Sequence, residues 1–264
     1  MPSSLVPIRG RPLFVELTGT GPPLVVLHGL GGSTNLFPLA DDLSSRFTVV
    51  RLDFEGAGQS ALSEGTTRMD VEGLVEDVGA VLDWAAPGGE QAVLYGHSLG
   101  ATVALHFAAA HPHRVTHLVL SCPSVARAGN PEAVEASRAL ARTARTKGTF
   151  AMADFTAKKN LRPSTTRIER ALVRTAMQQS SREGYALLCE MLARTPAPDW
   201  ARIGAPVLVV AGREDRISSV EAAETIRGCL TSSKGASVVA VDAGHQPAVE
   251  CPDVVLALLL DFLG

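Results

Sequence analysis

Hydrophobic residues in this chain form eight short runs, each about the length of a β-strand, and polar segments separate them. The runs show little alternation of apolar and polar positions, which is typical of strands buried on both faces of a parallel sheet. The first two runs lie close together and predict either a hairpin or two short strands. In chain order the runs read SLVPI, PLFVELTG, PLVVLHG, FTVVRLDF, QAVLYG, VTHLVLS, APVLVVAG and ASVVAVDAG.

Apolar residues spaced by three and four positions predict helices between these runs. Segment 70–84 shows this spacing at Val71, Leu74, Val75, Val78 and Leu82. Further helices are predicted at 35–43, 99–110, 220–230 and 252–260. Because strands and helices alternate, the sequence predicts the α/β class, with a mostly parallel eight-stranded sheet flanked by helices.

Segment 124–200 interrupts the alternation, since it contains helical stretches such as PEAVEASRALARTAR and RIERALVRTAMQQ but no strand-like run. We interpret it as a helical cap inserted after the sixth strand, with 1–123 and 201–264 forming the core. The predicted cap carries 13 Lys or Arg and 7 Asp or Glu, a net charge of +6 in a chain of net charge −3. That excess either steers an anionic substrate or belongs to ordinary solvated helix faces.

Composition narrows the classes of function. The chain has 264 residues, of which 46% are hydrophobic and 19% charged, as in globular proteins. Its charge does not favour nucleic acid, and it lacks a charge-free apolar stretch of about 18 residues, so no membrane span is expected. The start, MPSSLVPIRGRP, lacks the pattern of a secretory signal. The four cysteines have no CxxC spacing, which favours free thiols in the cytoplasm over disulfides or a metal site.

The fifth run ends in Gly96-His97-Ser98-Leu99-Gly100 and leads directly into a predicted helix. Gly-x-Ser-x-Gly at a turn from strand to helix is the pattern of a nucleophile elbow. Side chains at 96 and 100 would collide with neighbouring elements, so glycine leaves the serine hydroxyl exposed beside the helix N-terminus. The alternative is that Ser98 only caps the helix.

Asp215 follows the seventh run and His245 follows the eighth. Because the carboxyl ends of parallel strands meet at one edge of a sheet, both residues are expected to gather with Ser98. The order Ser, Asp, His is that of a hydrolase triad in which His245 is the general base and Asp215 orients it. Glu214 and Asp242 are the alternative acids, and the six other histidines are expected to have packing or surface roles.

The stretch HGLGG follows the third run. A tetrahedral oxyanion needs two backbone N–H donors, one from the residue after the nucleophile and one from the loop after the third strand. The candidates are Leu99 for the first donor and Leu30 for the second, with Gly31 as the second choice. The alternative is a loop that merely turns.

HGLGG, RLDFEGAGQS, YGHSLGA, GREDRIS and DAGHQP resemble the successive landmarks of the α/β-hydrolase superfamily over nearly the whole chain. Within that superfamily the chain most resembles 3-oxoadipate enol-lactonases and related small capped esterases. SREGYALLCEMLA is similar to their Gly-Tyr-x-x-x-Cys stretch, here Gly184, Tyr185 and Cys189. The chain departs from the lactonases at His28-Gly29 and His97, and its early cap lacks tryptophan. The resemblance implies the α/β-hydrolase fold and a small-molecule ester or lactone as substrate.

The sequence therefore predicts a serine hydrolase that forms an acyl-enzyme and uses no metal or organic cofactor. Three alternatives stay open: a lactone-forming cyclase or acyltransferase, an enzyme that cleaves C–C bonds or cyanohydrins, and a non-catalytic receptor. The oligomeric state is left open. Residues predicted to line the substrate pocket are Gly31, Phe150, Met152, Tyr185, Met191 and Ile217, although the aromatic and methionine residues among them would also suit a plain cap core.

Overall fold

The computed structural model describes residues 4–264. Of the N-terminal segment for which no secretory signal is expected, residues 1–3 lie outside the described residues. The chain forms one eight-stranded sheet with the order β1-β2-β4-β3-β5-β6-β7-β8. Its strands are β1 Ser4–Ile8, β2 Arg11–Thr18, β3 Pro23–Leu27, β4 Thr48–Leu52, β5 Ala92–His97, β6 Val115–Ser121, β7 Val207–Gly212 and β8 Ala236–Val241. Every predicted run contains a strand.

The first two strands form an antiparallel hairpin, and β2 also pairs antiparallel with β4. The other pairs, from β4 through β3, β5, β6 and β7 to β8, are all parallel. The predicted mostly parallel sheet is therefore confirmed. Since β3, β5 and β7 are buried along their whole length, their continuous apolar runs reflect helices on both faces.

The helices are α1 Ala40–Leu43, α2 Val71–Ala85, α3 Leu99–Ala110, α4 Pro131–Asn160, α5 Arg167–Gln179, α6 Arg182–Arg194, α7 Val220–Cys229, α8 Pro247–Glu250 and α9 Pro252–Leu263. The helix predicted at 35–43 is instead a 3-10 turn, Thr34–Leu36, followed by the short α1. Pro38 separates the two, because the residue before a proline is pushed away from helical geometry.

Two hydrophobic clusters cover the two faces of the sheet. One includes Val78 of α2 and Phe107 of α3, and the other includes Leu43 of α1 and Leu259 of α9. Among residues 4–264, none of the helices combines the length and the apolar character needed to cross a bilayer.

The segment between β6 and β7 forms α4, α5 and α6, which we call the cap helices. The helix predicted at PEAVEASRALARTAR continues to Asn160, with a break at Gly148, whose φ is 79°. Helix α6 lies directly on the turn after β4. A Cβ on Gly184 would lie 2.5 Å from the Cα of Gly56, and the Ser181 N–H donates to the Gly56 carbonyl at 2.8 Å. This contact between two glycine backbones seats the cap helices on the sheet.

Candidate active site

Ser98 sits at the sharp turn from β5 to α3. Its φ of 51° and ψ of −109° are strained for a residue with a side chain, and its N–H donates to the Ser121 carbonyl at 2.9 Å. A Cβ on Gly96 would lie 2.5 Å from the Gly100 carbonyl oxygen, and one on Gly100 would overlap the Leu27 carbonyl. The two glycines therefore let β5, β3 and α3 approach closely enough to hold this turn.

A chain of hydrogen bonds links Ser98 to two distant residues. The Oγ of Ser98 lies 3.0 Å from Nε2 of His245. The other ring nitrogen of His245, Nδ1, lies 2.7 Å from Oδ2 of Asp215. With the carboxylate accepting from Nδ1–H, Nε2 carries a lone pair directed at the serine hydroxyl.

Both carboxylate oxygens of Asp215 accept hydrogen bonds, which fix its orientation. Its second carboxylate oxygen accepts from the backbone N–H groups of Ile217 at 2.7 Å and Ser218 at 3.0 Å. Burial raises the pKa of Asp215, but hydrogen bonds from His245 and from these N–H groups outweigh it, so the pKa lies below its ordinary value. The alternative acids lie elsewhere: Glu214 is exposed, and Asp242 is exposed and paired with Arg213.

The backbone of His245 is held on both sides as well. Its N–H donates to the Asn160 carbonyl at 2.5 Å, at the end of α4. Its own carbonyl accepts from Nε2 of His97 at 2.6 Å. Burial lowers the pKa of His97 to about 3, and the nearby His245 adds to this. His97 is therefore neutral at physiological pH and acts as a fixed donor beside the elbow.

Glu250, a residue not singled out from the sequence, ties the His245 loop to the cap helices. One carboxylate oxygen accepts from the N–H groups of Gly244 and Gln246, at 3.0 and 3.1 Å. The other accepts from the Arg162 N–H at 2.8 Å and the Thr165 hydroxyl at 3.1 Å, between α4 and α5. A glutamate shortly after the candidate base was the available sequence signal, but two of its four donors, Arg162 and Thr165, lie 88 and 85 residues away along the chain.

The loop after β3 lies beside Ser98. In residues 4–264, no protein acceptor is bonded to the backbone N–H of Leu30 or to that of Leu99, so both remain available as donors. His28 shapes this loop, because its Nδ1 donates to the Gly29 carbonyl at 2.7 Å and its Nε2 accepts from the Phe54 N–H at 3.0 Å. Asp53 supports it by accepting from the Thr34 N–H at 2.7 Å.

Two cavities meet at Ser98. The smaller is lined by Leu99, Thr102, residues 124–127, Leu192 and Thr195. The larger encloses about 600 Å³, including its mouth. Its apolar lining includes Leu30, Leu140, Leu192 and Ile217, and its polar lining includes Arg127, Lys159 and Asn160.

The structure places two of the predicted pocket residues, Tyr185 and Ile217, in the lining of the larger cavity. The others lie outside the lining of both cavities, which corrects the prediction. Phe150 is 70% exposed, because its side of α4 faces solvent. Met152 packs inside the cap helices and Met191 in the main core. Gly31 lies beneath Met177 and Tyr185, where a Cβ would not fit.

Cys122, Asp215 and His245 place one potential metal-ligating atom each within 4.8 Å of one another. Two of those groups already bond each other, and burial raises the pKa of the Cys122 thiol well above its ordinary value. A protonated thiol is a poor metal ligand. These three side chains therefore fit a hydrogen bond between Asp215 and His245 better than they fit a metal site.

A family model described as alpha/beta hydrolase fold matches residues 22–250. A pimeloyl-[acyl-carrier protein] methyl ester esterase of Aeromonas hydrophila is 30% identical, covering 95% of this chain and 98% of its own. The enzyme of the same name from Stenotrophomonas maltophilia (strain R551-3) is 29% identical over 96% of each.

Two solved structures of other proteins are similar to this chain over nearly its whole length. The enol-lactonase from Burkholderia xenovorans LB400 superposes with a TM-score of 0.87 and 27% identity over 99% of each chain. A thermophilic esterase from Thermogutta terrifontis, solved with malate bound, has a TM-score of 0.83 and 27% identity over 95% of this chain and 93% of its own.

Proposed function

Because the chain belongs to the α/β-hydrolase family, a family of enzymes, we propose that it hydrolyses a small-molecule ester or lactone through an acyl-enzyme on Ser98. The observation that carries this proposal is the hydrogen-bonded chain from Ser98 through His245 to Asp215 at a strained turn. The named relatives, which include esterases and an enol-lactonase, support the same class of reaction.

In the first half of the reaction, Nε2 of His245 takes the Ser98 hydroxyl proton while Oγ bonds to the substrate carbonyl carbon. The electron pair of the carbonyl double bond moves to its oxygen, which the N–H groups of Leu30 and Leu99 stabilise. When the tetrahedral intermediate collapses, the bond from carbon to the leaving oxygen breaks. His245 gives its proton to that oxygen.

In the second half, a water oxygen bonds to the acyl carbon while His245 takes one of the water protons. When this second tetrahedral intermediate collapses, the bond from carbon to the Ser98 Oγ breaks, His245 returns the proton to Oγ, and the carboxylic acid is released. Asp215 keeps the His245 ring in the required tautomer and stabilises its positive charge. Lys159 is exposed and Phe155 is 62% exposed at the larger cavity, so the cavity opens to solvent. Access of water favours hydrolysis over closure of a lactone ring.

The proposal is tested by the steady-state hydrolysis of short-chain p-nitrophenyl esters and small lactones by the wild type and by Ser98→Ala. We expect turnover by the wild type and a loss of about 10⁴-fold or more in kcat for the variant, with the melting temperature retained. Equal rates for the two proteins would refute the role of Ser98. Faster ring closure than ring opening, with matched hydroxy acids as substrates, would favour the cyclase.

A further inference from the structure

One cation reaches the walls of both cavities beside Ser98. Arg127 lies on the segment between β6, which ends at Ser121, and α4, which begins at Pro131. Because β6 neighbours β5 in the parallel sheet, this segment leaves the same edge of the sheet as the elbow. Arg127 therefore lines both the smaller and the larger cavity, as Ser98 and Leu192 also do.

The guanidinium of Arg127 makes few polar contacts within the protein. Its Nη1 donates to the Ser137 hydroxyl at 2.6 Å, and that hydroxyl donates onward to the Ala133 carbonyl at 2.9 Å. Within residues 4–264, no carboxylate forms an ion pair with Arg127. Since a guanidinium carries five N–H groups, most of its donors remain free at the cavity wall.

Two other arginines of the cap helices have carboxylate partners within the protein. Arg145 contacts the carboxylates of Glu183 and Glu190, and Arg174 contacts Asp154. Arg127 is more enclosed than either, and burial lowers its pKa because the charged form loses hydration. A partly buried cation that lacks a carboxylate within the chain is stabilised when a ligand supplies one.

The charged side chains that line the larger cavity are positive. Its lining includes Arg127 and, at the mouth, the exposed Lys159, whereas none of the described side chains that line it is an aspartate or glutamate. The carboxylate of Asp215 is fully buried behind His245. Positive potential in an enclosed space concentrates anionic molecules.

We propose that Arg127 binds a carboxylate of the substrate, so that the enzyme acts on esters or lactones that carry a second, ionised carboxyl group. This inference rests on the proposed function and specifies its substrate class. A guanidinium fits a carboxylate with two parallel hydrogen bonds. A single enclosed cation balances one negative charge, which matches a carboxylate better than a doubly charged phosphate.

The first test compares matched substrates on the wild-type enzyme, with proton release as the readout. The acidic substrates are monomethyl glutarate and monomethyl adipate, and the neutral ones are the methyl esters of the corresponding ω-carboxamides. They have the same size and differ in one charge. We expect kcat/KM to be about tenfold to a hundredfold higher for the acidic substrates, mainly through KM. Equal values, or a preference for the amides, would overturn the proposal.

The second test removes the cation. Arg127→Met should lower the ratio of kcat/KM for the acidic substrates to kcat/KM for the carboxamides to about one, and Arg127→Lys should restore part of the preference. The matched control is Arg138→Met, since Arg138 is an exposed arginine of α4, and it should keep the wild-type preference. An equal loss on both substrate types in Arg127→Met, or the same loss of preference in the control, contradicts specific recognition.

A third test requires no turnover and separates this inference from the proposed function. A neutral fluorophosphonate should label Ser98 in the wild type and in Arg127→Met, and the rate for each protein is compared with and without a competitor. Glutarate should slow labelling of the wild type but not of the variant, and glutaramide should slow neither. Absence of labelling in the wild type rejects the proposed function together with this inference. Labelling that glutarate does not slow rejects only the role of Arg127.

Discussion

At the scale of single residues, the site depends on groups whose protonation is set by their surroundings. Asp215 is kept ionised by three donors, and His97 is kept neutral by burial. The sequence predicted which serine, aspartate and histidine would meet, because chain order and strand position sufficed. It could not predict that His97 donates to the His245 carbonyl, since that bond joins side chain and backbone across 148 residues.

Replacing Asp215 by Asn should lower kcat by about 10⁴-fold, because the amide would favour the wrong tautomer of His245. The fold should remain, since the amide is nearly isosteric with the carboxylate. Steady-state kinetics on a p-nitrophenyl ester provides the measurement. The matched control is Asp242→Asn, which alters an exposed carboxylate three residues before the base and should leave kcat within about twofold. Similar losses in both variants would contradict the assignment of Asp215.

His97 should make the protein less stable in mild acid. Its pKa is about 3 in the folded protein, against 6.5 for the ordinary group. Between these values only the unfolded chain binds the proton, so the free energy of unfolding falls as pH is lowered through this window. From pH 7 to pH 5 this contribution amounts to about 2 kcal/mol.

The measurement is urea unfolding of the wild type and of His97→Gln at both pH values. The difference in unfolding free energy between pH 7 and pH 5 should be smaller in the variant by about 2 kcal/mol. His113→Gln serves as a control, because His113 is exposed in the turn after α3. An unchanged pH dependence in His97→Gln would contradict the neutral assignment.

At the scale of elements, helices and strands followed the hydrophobic pattern closely. Helix α3 begins and ends at the predicted residues, Leu99 and Ala110, because the elbow and Pro112 bound it. The continuation of α4 beyond the break at Gly148 was not predicted, since its second half shows exposed phenylalanines and no amphipathic pattern. Glycines allow some helices, strands and turns to approach each other closely. The element that would collide with a larger side chain lies far away along the chain, so the sequence around the glycine does not show why it is needed.

Gly100→Ala should destabilise the protein by about 1–3 kcal/mol and lower esterase activity, because its Cβ would overlap the Leu27 carbonyl and displace α3 from β3. Gly79→Ala, inside α2, should instead stabilise it by about 0.5–1 kcal/mol, since its Cβ would make only an ordinary 3.7 Å contact with Phe107. Chemical denaturation measures both changes. A Gly100→Ala protein as stable as the wild type would be inconsistent with the packing described for the elbow.

At the scale of the whole molecule, the cap helices and the sheet are joined at the candidate active site. Glu250 and Asn160 connect the His245 loop to the end of α4, and Gly184 rests on Gly56. The sequence predicted a helical insertion after the sixth strand, and its position followed from the absence of strand-like runs. Where that insertion would rest could not be predicted, because backbone contacts and buried carboxylates leave no periodic pattern.

Glu250→Gln should lower the unfolding free energy by about 2–4 kcal/mol, because an amide cannot accept from all four donors that the carboxylate satisfies. It should also lower kcat, since the His245 loop loses its anchor. Glu224→Gln is the control: Glu224 forms an exposed pair with Arg227, and its loss should cost less than about 1 kcal/mol. Equal stabilities of the two variants by urea unfolding would refute the anchoring role of Glu250.

We claim that Ser98 is a nucleophile activated by His245, and mass spectrometry after treatment with a fluorophosphonate tests this on the residue itself. The wild type should gain one adduct, located on the peptide that contains Ser98. Ser98→Ala should gain none, and His245→Gln should react at least about a hundredfold more slowly. An unmodified wild type, or an adduct on another residue with Ser98 intact, would contradict the claim.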